Sequence, residues 1–452
     1  LFSKIIFLCK IIGVADYSYF VILVFQAILN IFTGFLVFNV IRKITQNINL
    51  SVFGYIFYVL LVGLSPWVSI PYSDSTALII PVLMLYLYTN IDKEGFKIVG
   101  LSFLGVLGYM IKPQTAILFI SICLVSILFI RLRYIKKTLK YLSIALISIL
   151  ISYFFIVIFM SNNNITINRE LEISYPHFVK MGLNNVTNGG YLSDDAGKSM
   201  SFKSTKERKE ENIEVIKERL SEYGIDGLLK HQIKKTLVTY NDGTFVWSQE
   251  GNFYWEIKEE KSRIERFFRN IYYESGSNHS IFKYIVQGAW LIILSIQTLT
   301  IFIKRENMDN SMRVVLLSLI GLFVFESIFE ARARYLYTYV PIFIVSGMIG
   351  CFAVLRKQSL LGDAVSHASL PGVCIAFMIT NSKNTEVLLM GALCVGIMCI
   401  GLIQIIQNYT KIKFDSALAF ILSVFFGLGL VLMSYLNKLP GANKSGLNKF
   451  IF

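Results

Sequence analysis

Charge is scarce in this chain. Asp, Glu, Lys and Arg make up 16% of its 452 residues, against roughly a quarter in soluble domains. That shortage excludes an ordinary soluble globular protein. Glycine (30) and proline (8) are also few while 55% of residues are hydrophobic, which excludes a disordered or collagen-like chain. The six cysteines, Cys9, Cys123, Cys351, Cys374, Cys394 and Cys399, all lie in apolar stretches. The long polar segment has none, so no disulfide framework is implied, and no CxxC or Cys/His zinc spacing occurs. There is no internal repeat and no low-complexity tract. Leu1 opens the chain without a charged-then-apolar leader, and Asn448–Phe452 closes it without a polar tail, a pattern that reads as truncation at both ends.

What is present is apolar sequence, with a mean hydropathy of +0.60. Runs of roughly 17 to 25 apolar residues can cross a bilayer. Twelve candidates stand at about 18–41, 52–68, 75–90, 97–111, 115–131, 138–160, 281–303, 313–329, 336–354, 362–380, 386–407 and 416–436. The expected fold is an all-α polytopic membrane protein of about twelve transmembrane helices, with one large extracytoplasmic loop domain at 161–280. The net charge of +14 fits that reading. The segment 161–280 is near neutral, with 17 basic and 18 acidic residues, which leaves 26 basic against 11 acidic residues elsewhere. Most of that surplus sits in short loops such as Arg42-Lys43, Lys304-Arg305 and Arg356-Lys357, each an even number of spans from the last. This is positive-inside topology in a bacterial cell membrane, and no nucleic-acid partner is expected. Within 161–280, Glu207–Tyr223 has helical spacing. The aromatics Phe245, Trp247, Phe253, Tyr254 and Trp255 suit an interfacial belt.

The opposite face carries a sparse charged set: Asp74, Lys112, Arg332 and Arg334. Arginine suits bidentate phosphate contacts and lysine acts as a point charge. A nearby carboxylate can serve as a base or help hold a metal. The same four residues also suit ordinary headgroup anchors. The stretches SPWVSIPYSDS (65–75), GYMIKPQTAI (108–117), HFVKMGLNNVTNGGY (177–191), YNDGTFVW (240–247) and FEARARYLYTYVPIF (329–343) resemble a bacterial C-superfamily membrane glycosyltransferase over residues 1–345. The resemblance implies a polyprenyl-phosphate sugar donor, a divalent metal for glycosyl transfer, Asp74 as the catalytic acidic residue, and Lys112, Arg332 and Arg334 against the lipid phosphate. The family's usual first-loop carboxylate has no match here. Asp16 precedes the first clear span and fits no family motif.

A second constellation follows Arg356-Lys357. Asp363 and His367 are four residues apart, which puts both on one helix face a turn apart. Carboxylate plus imidazole suits a divalent transition metal. Gly362 and Pro371-Gly372 can break the helix, and broken helices line ion pathways. A capped helix start with a backbone-satisfied histidine fits the same residues. The run GMIGCFAVLRKQSLLGDAVSHASLPGVCIAF (347–377), with 410–434 and 446–452 after it, resembles the permease subunit of metal-ion ABC transporters that import manganese, zinc or iron. The resemblance implies that Asp363 and His367 lie on the metal path. It also implies an extracellular metal-binding protein and a separate ATP-binding subunit, since no GxxxxGK[ST] motif occurs here.

The two resemblances meet inside one apolar run, between Ile344 and Gly347, with no flexible linker. The domains expected are 1–160 and 281–346 as glycosyltransferase-like spans, 161–280 as the loop domain, and 347–452 as a permease-like segment. A chimeric integral membrane protein with both functions is one expectation. A non-functional fusion or gene-assembly artefact is the other.

Overall fold

A computed structural model describes residues 2–129, 135–162, 172–251, 262–302, 308–353, 360–380, 384–410, 412 and 414–438. Among these residues all regular structure is helical and there is no strand. The first helices are α1 (Phe2–Ile12), α2 (Ser18–Thr45), α3 (Ile48–Tyr58), α4 (Ser73–Ala77), α5 (Ile79–Asn90), α6 (Glu94–Ile111), α7 (Ala116–Leu128) and α8 (Ile135–Asn162). The polar middle supplies α9 (Tyr175–Gly182), α10 (Ser193–Ser201), α11 (Thr205–Tyr240), α12 (Trp247–Glu250) and α13 (Arg263–Tyr272). Then come α14 (His279–Thr298), α15 (Asn310–Ile328), α16 (Ala333–Leu336) and α17 (Val340–Ala353), and finally α18 (Leu360–Thr380), α19 (Thr385–Tyr409) and α20 (Phe414–Lys438). Backbone packing divides the chain into two compact units, Leu1–Phe352 and Ala353–Phe452.

Among the described residues each of the twelve apolar runs overlaps a helix, and eight helices are long and apolar enough to cross a membrane. Three of the others are shorter as helices, Ile48–Gly63, Ile79–Asn90 and Pro113–Leu128, and the fourth lies on α18. Turn chemistry shortens them. Pro66 and Pro113 each open a 3-10 turn, where a missing N–H costs nothing. Side-chain caps set other starts: the Asn47 carbonyl accepts from Leu50 N at 3.2 Å, and Asp309 accepts from Met312 N at 2.7 Å.

In lipid, apolar side chains gain little by leaving their surroundings, so close packing and buried polar contacts hold helices together. The first unit follows that rule. Its most enclosed span, Ala333–Phe352, is 83% buried, whereas Leu139–Asn162 is 6% buried and presents leucine, isoleucine and phenylalanine outward. Trp67, Phe245, Trp290 and Tyr337 are fully buried around the central span. Phe245 meets Trp290 and Tyr337 edge-on, with ring centroids 5.2 and 5.6 Å away.

The polar middle is helical and part of the first unit rather than a separate body. The helical spacing of Glu207–Tyr223 is realised in α11, which bends at Gly224, where φ is 55°. Three contacts pin this region to the spans: Trp67 Nε1 donates to Phe245 O at 3.0 Å, Trp290 Nε1 donates to Tyr240 O at 2.9 Å, and Lys235 donates to Phe329 O at 2.6 Å. The expected interfacial belt is corrected for Phe245 and Trp247, which are core residues with 0% and 2% exposure. The reason is the turn before α12. Asp242 accepts from Thr244 N and Val246 N at 2.8 and 2.7 Å, and Phe245 and Val246 take positive φ, which swings both rings inward. Phe253, Tyr254 and Trp255 lie outside the described residues.

The second unit is a three-helix arrangement of α18, α19 and α20 around Val373, Cys374, Phe377, Leu388, Met433 and Leu436. Gly372 and Gly391 let α18 and α19 touch backbone to backbone; a Cβ on either would collide with the other's carbonyl.

Candidate functional site

At one end of the first unit, four segments distant in sequence converge. Asp74 lies in the first turn of α4 and is 3% exposed. Lys112 caps the C-terminus of α6, and its ammonium donates to the Asp74 carboxylate. Arg332 and Arg334 flank the start of α16. Both guanidinium groups donate to the carboxylate of Glu250 at the end of α12, that from Arg334 at 3.1 Å. Arg334 Nε also stands 3.9 Å from Asp74 Oδ2. All four residues expected at this face are therefore brought together.

Aromatic rings floor the site. The Arg334 guanidinium lies 5.7 Å from the Trp67 ring, 5.1 Å from Tyr72 and 5.6 Å from Tyr335. Lys112 stands 5.0 Å over Tyr335, and Arg332 lies 5.2 Å from Tyr191. Cation–π contacts of this kind hold a cation in place while leaving its N–H groups free to donate. Tyr335 is fixed in turn, since its hydroxyl donates to Glu330 Oε1 at 2.7 Å and its carbonyl accepts from Gln114 Nε2 at 2.6 Å.

Behind the site, the segment Phe329–Arg332 is strapped to residues 178–190. Glu330 N donates to Phe178 O at 2.8 Å and Ala331 N to Gly189 O at 2.9 Å. Gly182 packs so tightly on Phe329 that a Cβ would lie 2.6 Å from its carbonyl oxygen, and Gly189 has a φ of +84°. The ammonium of Lys235 donates to the carbonyls of Gly182, Ser327 and Phe329 at 3.1, 3.1 and 2.6 Å. That places a cation at the C-terminal end of α15, where the helix dipole favours it. Burial pulls Lys235 down to about 8, with Glu326 and Glu330 opposing. Burial likewise lowers Lys112, Glu326 raises it and Arg334 lowers it. Glu326, inside span α15, is 3% exposed with no hydrogen-bond donor on either carboxylate oxygen among the described residues.

Chemically, this is an aromatic-floored cradle of three cations with their own counterions. Asp74 neutralises Lys112, and Glu250 is shared by the two arginines. An incoming anion would meet two guanidinium groups once Glu250 moved aside. Sequence reasoning missed Glu250, Glu330, Glu326 and Tyr335 as members. Trp67, Tyr72 and Glu330–Tyr335 stood in quoted motifs, so their pattern was visible. Glu250 lies just past YNDGTFVW, and nothing in its neighbours marks it.

The second constellation is local. Asp363 and His367 both lie on α18, one turn apart. The His367 ring meets Phe426 of α20 edge-on at 4.9 Å. The side chain of Asp363 lies outside the described residues. Pro371, four residues beyond His367, has no N–H to donate to the His367 carbonyl, so that helix bond is missing. No group of three or more His, Cys, Asp or Glu side chains fit to hold a metal occurs among the described residues.

Comparison with known proteins separates the two parts. Residues 329–452 match the ABC 3 transport family. The zinc transport system membrane protein TroC of Treponema pallidum (strain Nichols) is 51% identical over 106 residues, covering 24% of this chain and 36% of that protein. The manganese transport system membrane protein MntC of Bacillus subtilis (strain 168) is 46% identical over 107 residues, 24% of this chain and 25% of that protein. The manganese import system permease protein ScaB of Streptococcus gordonii is 38% identical over 99 residues, 22% of this chain and 34% of that protein. The chain thus spans about a quarter to a third of the length of these relatives. No solved structure matches. The protein is a multi-pass bacterial membrane protein whose C-terminal residues match the ABC 3 transport family. No match supports a glycosyltransferase or a polyprenyl-phosphate ligand for the first unit. The larger match covers residues 12–353, and by it the chain belongs to the family described as conserved hypothetical integral membrane protein.

Proposed function

We propose that the C-terminal segment forms part of a divalent metal-ion path, with Asp363 and His367 as ligands of the transported manganese, zinc or iron. The observation that carries this reading is the match of residues 329–452, which include Asp363 and His367, to the ABC 3 transport family, together with 51% identity over 106 residues to a zinc transport membrane protein. The metal is cargo here. The carboxylate–imidazole pair on one helix face suits it. An ATP-binding subunit and an extracellular metal-binding protein would be its partners. The test is binding of Mn²⁺ or Zn²⁺ to the full chain in detergent, by equilibrium dialysis. Asp363→Ala/His367→Ala is expected to lose the site, and parental binding by the double variant would remove the assignment.

A second reading concerns the first unit, with residues 1–346 as its extent. Convergence of Asp74, Lys112, Arg332 and Arg334 favours a site for a phosphate-bearing, lipid-linked ligand such as a polyprenyl-phosphate sugar. In that reading Asp74 acts as the acidic group and a divalent metal assists transfer. Binding of polyprenyl phosphate to the chain in nanodiscs is expected to fall at least about tenfold in Arg334→Ala, which is about 1.4 kcal/mol. Unaltered binding would dismiss it. The alternative is a fused chain with neither activity complete. The overlap of the two family matches at 329–353 favours it. Long-read sequencing across codons 335–355 that found two intact neighbouring genes would establish it.

A further inference from the structure

We propose that α13 is an in-plane membrane helix, its apolar face set in the acyl boundary and its arginines on anionic phospholipid headgroups. The proposal goes beyond either reading of function and holds independently of them. The sequence Arg263–Tyr272 splits cleanly into two faces. Ile264, Phe267, Phe268 and Ile271 recur at the i, i+3, i+4, i+7 spacing of a single helical stripe. Arg263, Glu265, Arg266, Arg269 and Asn270 fill the other side, three cations against one anion. The helix starts with a capping box: Ser262 Oγ accepts from Glu265 N at 3.1 Å, with Glu three residues after the cap. Arg269 Nε pairs with Glu265 at 2.9 Å on the polar side.

Among the described residues most of the apolar stripe is uncovered, and Ile271 is half-buried. Ile264, Phe267 and Phe268 are 69%, 57% and 50% exposed. Two bulky rings and an isoleucine side by side on one short helix need an apolar neighbour. The fold shows which neighbour that is, because α13 is held at the level of the spans. The Tyr272 hydroxyl donates to Leu64 O at 3.0 Å, at the end of the apolar helix Ile48–Gly63. The Tyr272 carbonyl accepts from Trp247 Nε1 at 2.8 Å. Asn278 N donates to Asn270 O at 3.0 Å, and the His279 Nδ1 atom lies 3.1 Å from Ile271 O. The span His279–Ile301 therefore begins directly against the C-terminal turn of α13. A helix tied to the first turn of a membrane span, and to the end of a shorter apolar helix, lies where headgroups meet acyl chains. A large apolar face with arginines opposite is the composition that binds there. The excess positive charge selects anionic lipid over neutral lipid.

The experiment places p-benzoylphenylalanine at 267, 268 or 270 of the full chain in phosphatidylethanolamine/phosphatidylglycerol vesicles. After irradiation, mass spectrometry identifies the adducts. Phospholipid adducts are expected from 267 and 268 and none from 270. Adducts from 267 and 268 to peptides of a partner protein or a second copy would overturn the proposal, as would lipid adducts equal at 270 and 268 or absent from all three. The charge half is read separately. Arg263→Gln/Arg266→Gln, checked by size-exclusion elution, is expected to keep lipid adducts at 267 and lose the severalfold preference for phosphatidylglycerol. Full retention of that preference would reject the headgroup contact.

Discussion

The two units hold their polar chemistry in opposite ways. In the first, the charged site is assembled from segments far apart in the chain: Gln114 reaches Tyr335, Arg334 reaches Glu250, and Lys112 reaches Asp74. Asp74, Lys112, Glu250, Arg332 and Arg334 each have a partner on another segment there. In the second, Asp363 and His367 share one turn of one helix. The difference teaches where each site's precision comes from. A distributed site depends on the packing of every span behind it. A local pair depends on little more than the helix continuing, so its geometry survives changes that would scatter the other.

The largest effect that can sharpen this contrast is expected at Trp67. Its ring is fully buried against Trp247, with centroids 5.2 Å apart, and floors Arg334. Trp67→Ala is expected to cost about 3–5 kcal/mol, as large-to-small changes at buried aromatics do. Unfolding followed in detergent checks it, and an unchanged midpoint would break the picture of a site carried by packing. Next is Gly372→Val, which forces side-chain atoms into the Gly391 carbonyl. Overpacking of this kind costs about 1–3 kcal/mol. Gly401→Ala on α19, where a Cβ meets nothing within 4 Å, is the matched control and is expected to leave the midpoint unchanged or raised.

A third change asks whether the distributed site is self-occupied. Glu250→Gln removes the negative charge shared by Arg332 and Arg334. Affinity for inorganic phosphate, measured by equilibrium dialysis, is expected to rise about tenfold, or about 1.4 kcal/mol. A fall in affinity would mean that Glu250 orients the arginines for their ligand rather than competing with it. The smallest effect is a pH dependence at Lys235. Its folded value of about 8 lies below the ordinary 10.5. Between those values the unfolded chain holds a proton that the folded chain has released, so stability rises with pH across that window, and the cost of burying the charge is fully present below it. The thermal midpoint of the parent is expected to climb from pH 8 to 10 relative to Lys235→Met. Parallel profiles would place the ammonium in a more hydrated setting.

Much of this was legible in the sequence, for reasons that differ between elements. Helix positions followed from apolar run length, because a backbone in lipid must satisfy its own hydrogen bonds. The spacing of Asp363 and His367 was legible because helix geometry alone places i and i+4 on one face. Asp74, Lys112, Arg332 and Arg334 could be named as charges at one membrane face, since few charges occur in such loops. Their mutual contacts could not be named. They depend on which spans neighbour which, and no periodicity records that.

Phe245 and Trp247 illustrate the limit. As a sequence, aromatics beside polar residues read as an interface belt. The fold turns them inward through two positive-φ residues capped by Asp242 and makes them the core under the site. The boundary between the parts shows the same division. Sequence resemblance changes near Gly347, yet Ser346, Met348 and Ile349 are buried in the core of the first unit, and the packing boundary falls after Phe352. Composition, topology and the local metal-type pair were therefore set by the sequence read alone, because each is a property of one segment. Glu250 as counterion, Lys235 as the clamp on α15, and the extent of the first unit were decided by tertiary structure, because each is a property of segments brought together by packing.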